Sequence, residues 1–235
     1  MKQDPSIYDG LSLNYAEKRY TGKVDSYIKY IFTTRRSILT GFFKEVLNKI
    51  EKPSVFEIGC ADGVLARFLR QQFPEQIGHF VGVDISSEMI KLALSARIVD
   101  ADFYLRDQLN PDFEASDVVM EVGVHTGDWS SEIAYWRQHL KPDGFLIKSV
   151  AGRQSIYARL KLYDRDYYQD YSSYREYEKI FNQDFDIIAT KSYGIFIPKI
   201  WRWPALARPI QMFFDQVLVW FPELYHERVY LLKKR

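Results

Sequence analysis

The sequence predicts an open α/β sheet, mostly parallel, finished by a C-terminal antiparallel strand pair and covered by helices on both faces. Two observations carry that expectation. Between residues 54 and 152, runs that are apolar on both sides alternate strictly with segments of helical period. Strands buried on both faces belong in a parallel sheet sandwiched between helices. After about residue 151 the alternation stops, and the last two strand-like runs have no long helical pattern tying them as a parallel pair.

Over 24–50 apolar residues recur at three and four (Tyr27, Ile31, Ile38, Phe42, Val46), which predicts a helix that Pro53 ends. "SVFEIG" follows as a strand, "GVLARFLRQQF" as a helix and "HFVGVDIS" as a strand. "SSEMIKLALSAR" reads as a helix capped by Ser87, with "ADFYLRD" and "SDVVMEVGV" as the next strands. "SSEIAYWRQHL" is helical and "GFLIKSVAG" is a strand, and the crossovers between parallel strands should be right-handed. Ser173, with Glu176 three residues on, makes a capping box for the helix in "SYREYEKIFNQ". "FDIIATKSYGIFI" and "RVYLLKK" form the final pair, separated by a large insertion, "PKIWRWPALARPIQMFFDQVLVWFPELYHE".

With 235 residues, 47% hydrophobic and 27% charged, the chain fits one globular domain. The expected parts are an N-terminal helical lid over 1–50, a cofactor-binding core over 51–152, and substrate-side insertions with the last strands over 153–235. A net charge of +1 gives no general electrostatic case for nucleic acid. One cysteine, Cys60, excludes an internal disulfide and suits a reducing compartment. "MKQDPSIYDG" lacks the apolar core of a signal peptide, and no run reaches a membrane span, so a cytoplasmic enzyme is expected.

The chemistry starts at the turn after the first strand. Gly59 and Gly63 permit backbone conformations or close approaches that a side chain blocks, and the helix from Val64 points its N–H groups into that turn. About 20 residues later Asp84 ends the second strand, where a carboxylate can accept from two adjacent ribose hydroxyls. Turn and acid together predict a nucleoside cofactor rather than a packing turn and a solvated acid. The dinucleotide fingerprint needs glycines at 59, 61 and 64; Ala61 and Val64 break it, which disfavours an NAD-dependent oxidoreductase.

The pattern present, Glu57-x-Gly59-x-x-x-Gly63, resembles motif I of the class I S-adenosylmethionine (SAM) methyltransferases. "FYLRDQLNPDF", "SDVVMEVGVHTGDW" and "LKPDGFLIKSV" are similar to later segments of that family in order, with Asp143 where glycine is common. The small-molecule enzymes of the ubiquinone/menaquinone type are the nearest in look. The resemblance implies a Rossmann-like fold and SAM as cofactor. Gly59, Cys60, Ala61 and Gly63, with Asp62 in the same turn, would line the methionine part, and Glu57 would lie near its ammonium. Asp84 would hold the ribose and Ile85 pack on the adenine, edged by Asp107 and Gln108. Glu121 and Gly123 would face the methionine end, and Arg36 would reach the cofactor carboxylate or else be a solvated surface residue.

Methyl transfer to a hydroxyl needs alignment, exclusion of water and removal of a proton. His125, on the loop after the fourth strand, is the candidate base, with Asp128 and a lid tyrosine as competitors. "MEVGVHTG" lacks the Asn/Asp-Pro-Pro-aromatic sequence of amide-nitrogen and nucleobase amino methyltransferases. The expected acceptor is therefore a small organic molecule methylated at oxygen, lipid-like or aromatic. The alternatives are an RNA ribose 2′-O-methyltransferase using Lys148, Glu121 and Glu227, and a non-catalytic partner subunit with the same fold. Lys148 otherwise reads as a strand-end residue reaching solvent.

Two aromatic segments stand apart. Tyr163, Tyr167, Tyr171 and Tyr174 make a helical stripe that packs in the core or walls the acceptor pocket. From Pro209 to Phe221 nearly every side is apolar, so something should cover it. A lid over the domain or a homodimer contact is expected first. Peripheral membrane contact through 199–221 is the alternative, since Lys199, Arg202 and Arg208 mix there with Trp201 and Trp203. No metal site is expected.

Overall fold

A computed structural model of the chain describes residues 19–20, 26–110, 112–124, 128–162 and 171–235. The apolar stripe of the first helix, α1 (Tyr27–Leu47), buries Tyr27, Ile31, Leu39, Phe42 and Val46, and Ser26 caps it by accepting from Lys29 N at 3.2 Å. Strands β1 (Val55–Ile58), β2 (Phe80–Asp84), β3 (Ala101–Leu105) and β4 (Ser116–Glu121) then alternate with α2 (Val64–Gln72) and α3 (Ser87–Ser95). Ser86, not Ser87, caps α3: its hydroxyl accepts from Met89 N at 3.2 Å, three residues on as cap geometry requires. The helix α4 (Trp129–His139) leads to β5 (Leu140–Ala151). After a short helix, α5 (Ile156–Arg159), come α6 (Tyr174–Phe181), β6 (Phe185–Tyr193), α7 (Pro204–Val217) and β7 (Glu227–Lys234). The Ser173–Glu176 capping box is formed at α6.

The seven strands run in the order β3-β2-β1-β4-β5-β7-β6. The first five are parallel, and β7 is antiparallel to both β5 and β6, as the loss of alternation after 151 predicted. Strand alternation divides the core in two. One face packs Val55, Val118, Met120, Ile147 and Leu231 under α1, α2 and α3. The other packs Phe56, Val119, Leu146 and Tyr230 under Trp136 of α4 and Tyr174, Tyr177 and Phe181 of α6. The strand order reverses between β1 and β4, so their carboxyl ends and the start of β7 share one rim of the sheet.

The tyrosine stripe is divided by this architecture. Tyr171 and Tyr174 are core residues, the latter donating to Tyr225 O at 3.0 Å, whereas Tyr163 and Tyr167 lie outside the described residues.

Candidate functional site

The turn after β1 is built from left-handed backbone. Gly59 has φ +76° and Gly63 φ +72°, with Ala61 between them at +48°. A Cβ on Gly59 would stand 2.3 Å from Cγ2 of Val124, on the loop after β4. One on Gly63 would meet Ile98 and Phe103 at 2.9 and 3.1 Å. Both glycines thus serve the close approach of other protein segments to this turn. Its amides are tied to β2: Gly59 N and Cys60 N donate to Val83 O, and Ala61 N donates to Asp84 Oδ2 at 2.9 Å. Asp84 Oδ1 accepts from Ser86 N at 2.9 Å, so the carboxylate is fixed at the mouth of the turn.

Three carboxyls converge there. Glu57 is buried and one of its oxygens has no hydrogen-bond partner among the described residues; the same holds for one oxygen of Asp62. Burial pushes the Glu57 carboxyl well above the ordinary range, and the neighbouring Asp84 and Asp62 push it further. Burial likewise raises Asp62, against the opposing pull of Arg67 and Arg36. Arg36 sits beside the turn with its guanidinium 3.7 Å from the Tyr20 ring centroid and 4.9 Å from that of Phe68. A cluster so rich in carboxyls suits a ligand carrying positive charge and hydroxyl donors. Asp107 and Gln108 are exposed on a 3₁₀ turn at the end of β3, and Ile85 is half-buried after β2. These residues therefore belong to adjacent strand ends at one rim.

Glu121 departs from the expected arrangement. Alternation turns it to the α4 face, opposite the α1 face that carries Gly123's partners, and it is fully buried there. It accepts from Trp136 Nε1 at 2.5 Å and pairs with Lys148 Nζ at 3.3 Å. Lys148 does not reach solvent as its position suggested: it is fully buried, donates to Val124 O at 3.0 Å and lies over the Trp129 and Trp136 rings. The pair thus supports the loop after β4 from beneath. Glu227 lies on the opposite face, so Lys148, Glu121 and Glu227 do not assemble as a ribose-methylating set.

On the α1 face a second group surrounds Gly123, of which sequence reasoning passed over Arg35, Tyr193 and Ser149. Arg35 is buried and clamps Glu227 with two bonds, Nε to Oε1 at 3.0 Å and Nη2 to Oε2 at 2.6 Å. It also donates to Tyr193 OH at 3.1 Å, and a Cβ on Gly123 would meet its Nη1 at 2.8 Å. Gly123 N donates to Ser149 Oγ at 2.8 Å, and the Ser149 hydroxyl is among the groups that lower the Glu227 carboxyl. Burial raises the Glu227 carboxyl, but Arg35 outweighs it and holds Glu227 below the ordinary range. Beside this pair stands an aromatic wall in which Tyr157 stacks on His226 at 4.6 Å and on Tyr27 at 5.5 Å, with Phe196 against both tyrosines. Tyr27 OH donates to Gly194 O at 2.8 Å and lies 3.0 Å from His226 Nδ1, which places the Nδ1 proton on the histidine. Burial lowers His226 to about 4. His125, the candidate base, lies outside the described residues, and no metal-holding cluster occurs among the described ones.

Comparison with known proteins agrees with this geometry. Residues 56–146 match a family model described as "Methyltransferase domain". No curated protein matches the sequence. The crystal structure of magnesium protoporphyrin IX methyltransferase (ChlM) from Synechocystis PCC 6803 with bound SAH is similar at 18% identity and TM-score 0.66, over 99% of this chain and 100% of that one. The plantazolicin methyltransferase BpumL, solved with a triazolic desmethylPZN analog and SAH, is similar at 18% identity and TM-score 0.61, over 98% and 97%. With its glycine turn and carboxyl cluster at the switch point of this sheet, the chain shares the Rossmann-like fold of these methyltransferases, and residues 56–146 of it match the methyltransferase-domain model.

Proposed function

We propose that the chain transfers a methyl group from SAM to a small organic acceptor, at oxygen, the acceptor being lipid-like or aromatic. The observation that carries the donor half is the carboxyl cluster of Glu57, Asp62 and Asp84, two of whose buried oxygens have no partner among the described residues. SAM presents an ammonium, a sulfonium and two ribose hydroxyls, which match such a cluster in charge and in hydrogen-bond sense. When bound, SAM supplies a methyl already activated for in-line displacement.

In this reading Gly59, Cys60, Ala61 and Gly63 line the methionine part, with Glu57 and Asp62 toward its ammonium and Arg36 toward its carboxylate. Asp84 holds the ribose, and Ile85, Asp107 and Gln108 bound the adenine. Gly123 borders the methionine end, while Glu121 acts through Lys148 to hold the loop. His125, on that loop, takes the acceptor proton. The aromatic wall of Tyr27, Tyr157 and Phe196 beside Gly123 supports an acceptor with an apolar or aromatic body. The separation of Lys148 and Glu121 from Glu227 across the sheet counts against RNA ribose as acceptor.

Calorimetric titration with S-adenosylhomocysteine (SAH), and with NAD in parallel, tests the donor half. Binding of SAH but not NAD is expected; absence of SAH binding would overturn the reading. Once an acceptor is in hand, His125→Ala should lower turnover with little change in SAH affinity, and unchanged turnover would remove His125 as the base.

A further inference from the structure

The helix α7 is inverted relative to an ordinary surface helix. Two of its polar residues, Gln211 and Asp215, point inward, while Gln216 is exposed. Gln211 is fully buried and donates to Ile195 O at 2.6 Å. Asp215 accepts from Ile195 N and Gln211 on one oxygen, and from Gly194 N and Tyr30 OH on the other, at 2.7–3.0 Å. The helix is thus fastened to the end of β6 and to α1 through hydrogen bonds. Its apolar residues face outward: Leu206 and Phe213 are 62% and 58% exposed, and Ile210 and Val217 continue the same stripe. Tryptophans stand at both ends, Trp203 before the helix and Trp220 after it, the latter 85% exposed. The expected cover over this segment is therefore not supplied by the described part of the chain.

Charge decides what covers it. Between 199 and 221 the only acid is Asp215, and it is turned inward with both oxygens engaged. Lys199 and Arg202 are exposed at the N-terminal approach to the helix, and Arg208 lies 5.7 Å from the Tyr30 ring centroid. A two-fold contact between copies would bring these cations together with no acid from the patch between them. An anionic bilayer surface offers both what the stripe and what the cations need. No helix among the described residues is long and apolar enough to cross a membrane, so the contact lies in the plane of the interface. We propose that the outward face of α7 and the 218–221 segment dock the protein onto an anionic lipid surface. The anchors of α7 at Gly194 and Tyr30 place that surface on the sheet rim that carries Glu227 and Tyr193. Docking stands on this surface alone and does not depend on the transfer chemistry.

The test is flotation of the full chain with vesicles of phosphatidylcholine alone and of phosphatidylcholine with one-third phosphatidylglycerol. Binding to the anionic vesicles is expected, at least tenfold above the neutral ones and weakened by salt. Phe213→Ser with Trp220→Ser should reduce the partition by on the order of tenfold or more, since each removes an inserted apolar side chain. Lys199→Gln with Arg202→Gln should reduce it by roughly fivefold per charge, and only on anionic vesicles. All four positions are exposed, and unchanged SAH affinity in the variants would show that the fold is intact. Absence of partition onto either vesicle, or equal partition onto both, overturns the proposal. So does a concentration-dependent dimer without vesicle binding that the Phe213 and Trp220 substitutions dissolve. Failure of SAH binding in the parent protein would strike the methyl-transfer reading and leave the vesicle result standing.

Discussion

Arg35 occupies a position where the helical period asks for an apolar side chain: Ile31, Arg35 and Leu39 follow at steps of four, and all three are buried. The signal was present in the sequence as a charge in phase with an apolar stripe, but its partner Glu227 is 192 residues away and periodicity cannot supply that. Removing one member of a buried ion pair leaves the other uncompensated, at a cost of about 3 kcal/mol or more. Glu227→Gln should therefore lower the melting temperature by roughly 6 °C or more in calorimetry, at ~2–4 °C per kcal/mol for a chain of this size. The sign of a pH effect follows from His226, whose pKa falls from 6.5 to about 4 on folding because burial disfavours the imidazolium. Between those values the unfolded chain binds the extra proton, so stability falls as pH drops from 6.5 toward 4. Denaturant titrations over that window should show the slope, and His226→Gln should flatten it. An identical slope in the variant would assign the titration elsewhere.

At the scale of elements, the turn after β1 was legible as a candidate site because glycine spacing and the following acid are local features. Its reason for needing glycine was not, because Val124 and Phe103 come from loops and strands that meet the turn only in the folded sheet. Gly59→Ala places a side chain in left-handed backbone, at about 1–2 kcal/mol, and pushes its Cβ into Val124. A drop in melting temperature of roughly 4 °C or more is expected. Gly59→Ala with Val124→Ala should recover part of it, because Cγ2 of Val124 is the atom met; no recovery would mean that backbone strain alone carries the cost. The α7 segment shows the opposite limit of legibility. Its apolar excess was plain in the sequence, yet which side faces out depended on Gln211 and Asp215 finding backbone partners at the end of β6.

For the whole molecule, the mostly parallel sheet with helices on both faces and its antiparallel final pair followed from alternation and from its loss after residue 151, whereas the strand order came from the structure alone. That architecture gathers Glu57, Asp84 and Gly123 from three strand ends onto one rim, and a ligand seated across them binds only the folded chain. Binding of that kind stabilises by mass action, about 2.7 kcal/mol at a concentration 100 times Kd. SAH at that concentration should raise the melting temperature by roughly 5–10 °C, while NAD leaves it unchanged. Asp84→Ala, which removes the carboxylate that Ala61 N and Ser86 N hold in place, should weaken SAH about tenfold through loss of charged hydrogen bonds. At the same SAH concentration the variant is then at only about 10 times its own Kd, and its thermal shift should be about half that of the parent. A full shift in Asp84→Ala would place the ribose contact on another residue. A shift lost in Asp84→Ala and also in Gly63→Ala, whose Cβ would press on Ile98 and Phe103, would tie binding to the geometry of the whole turn.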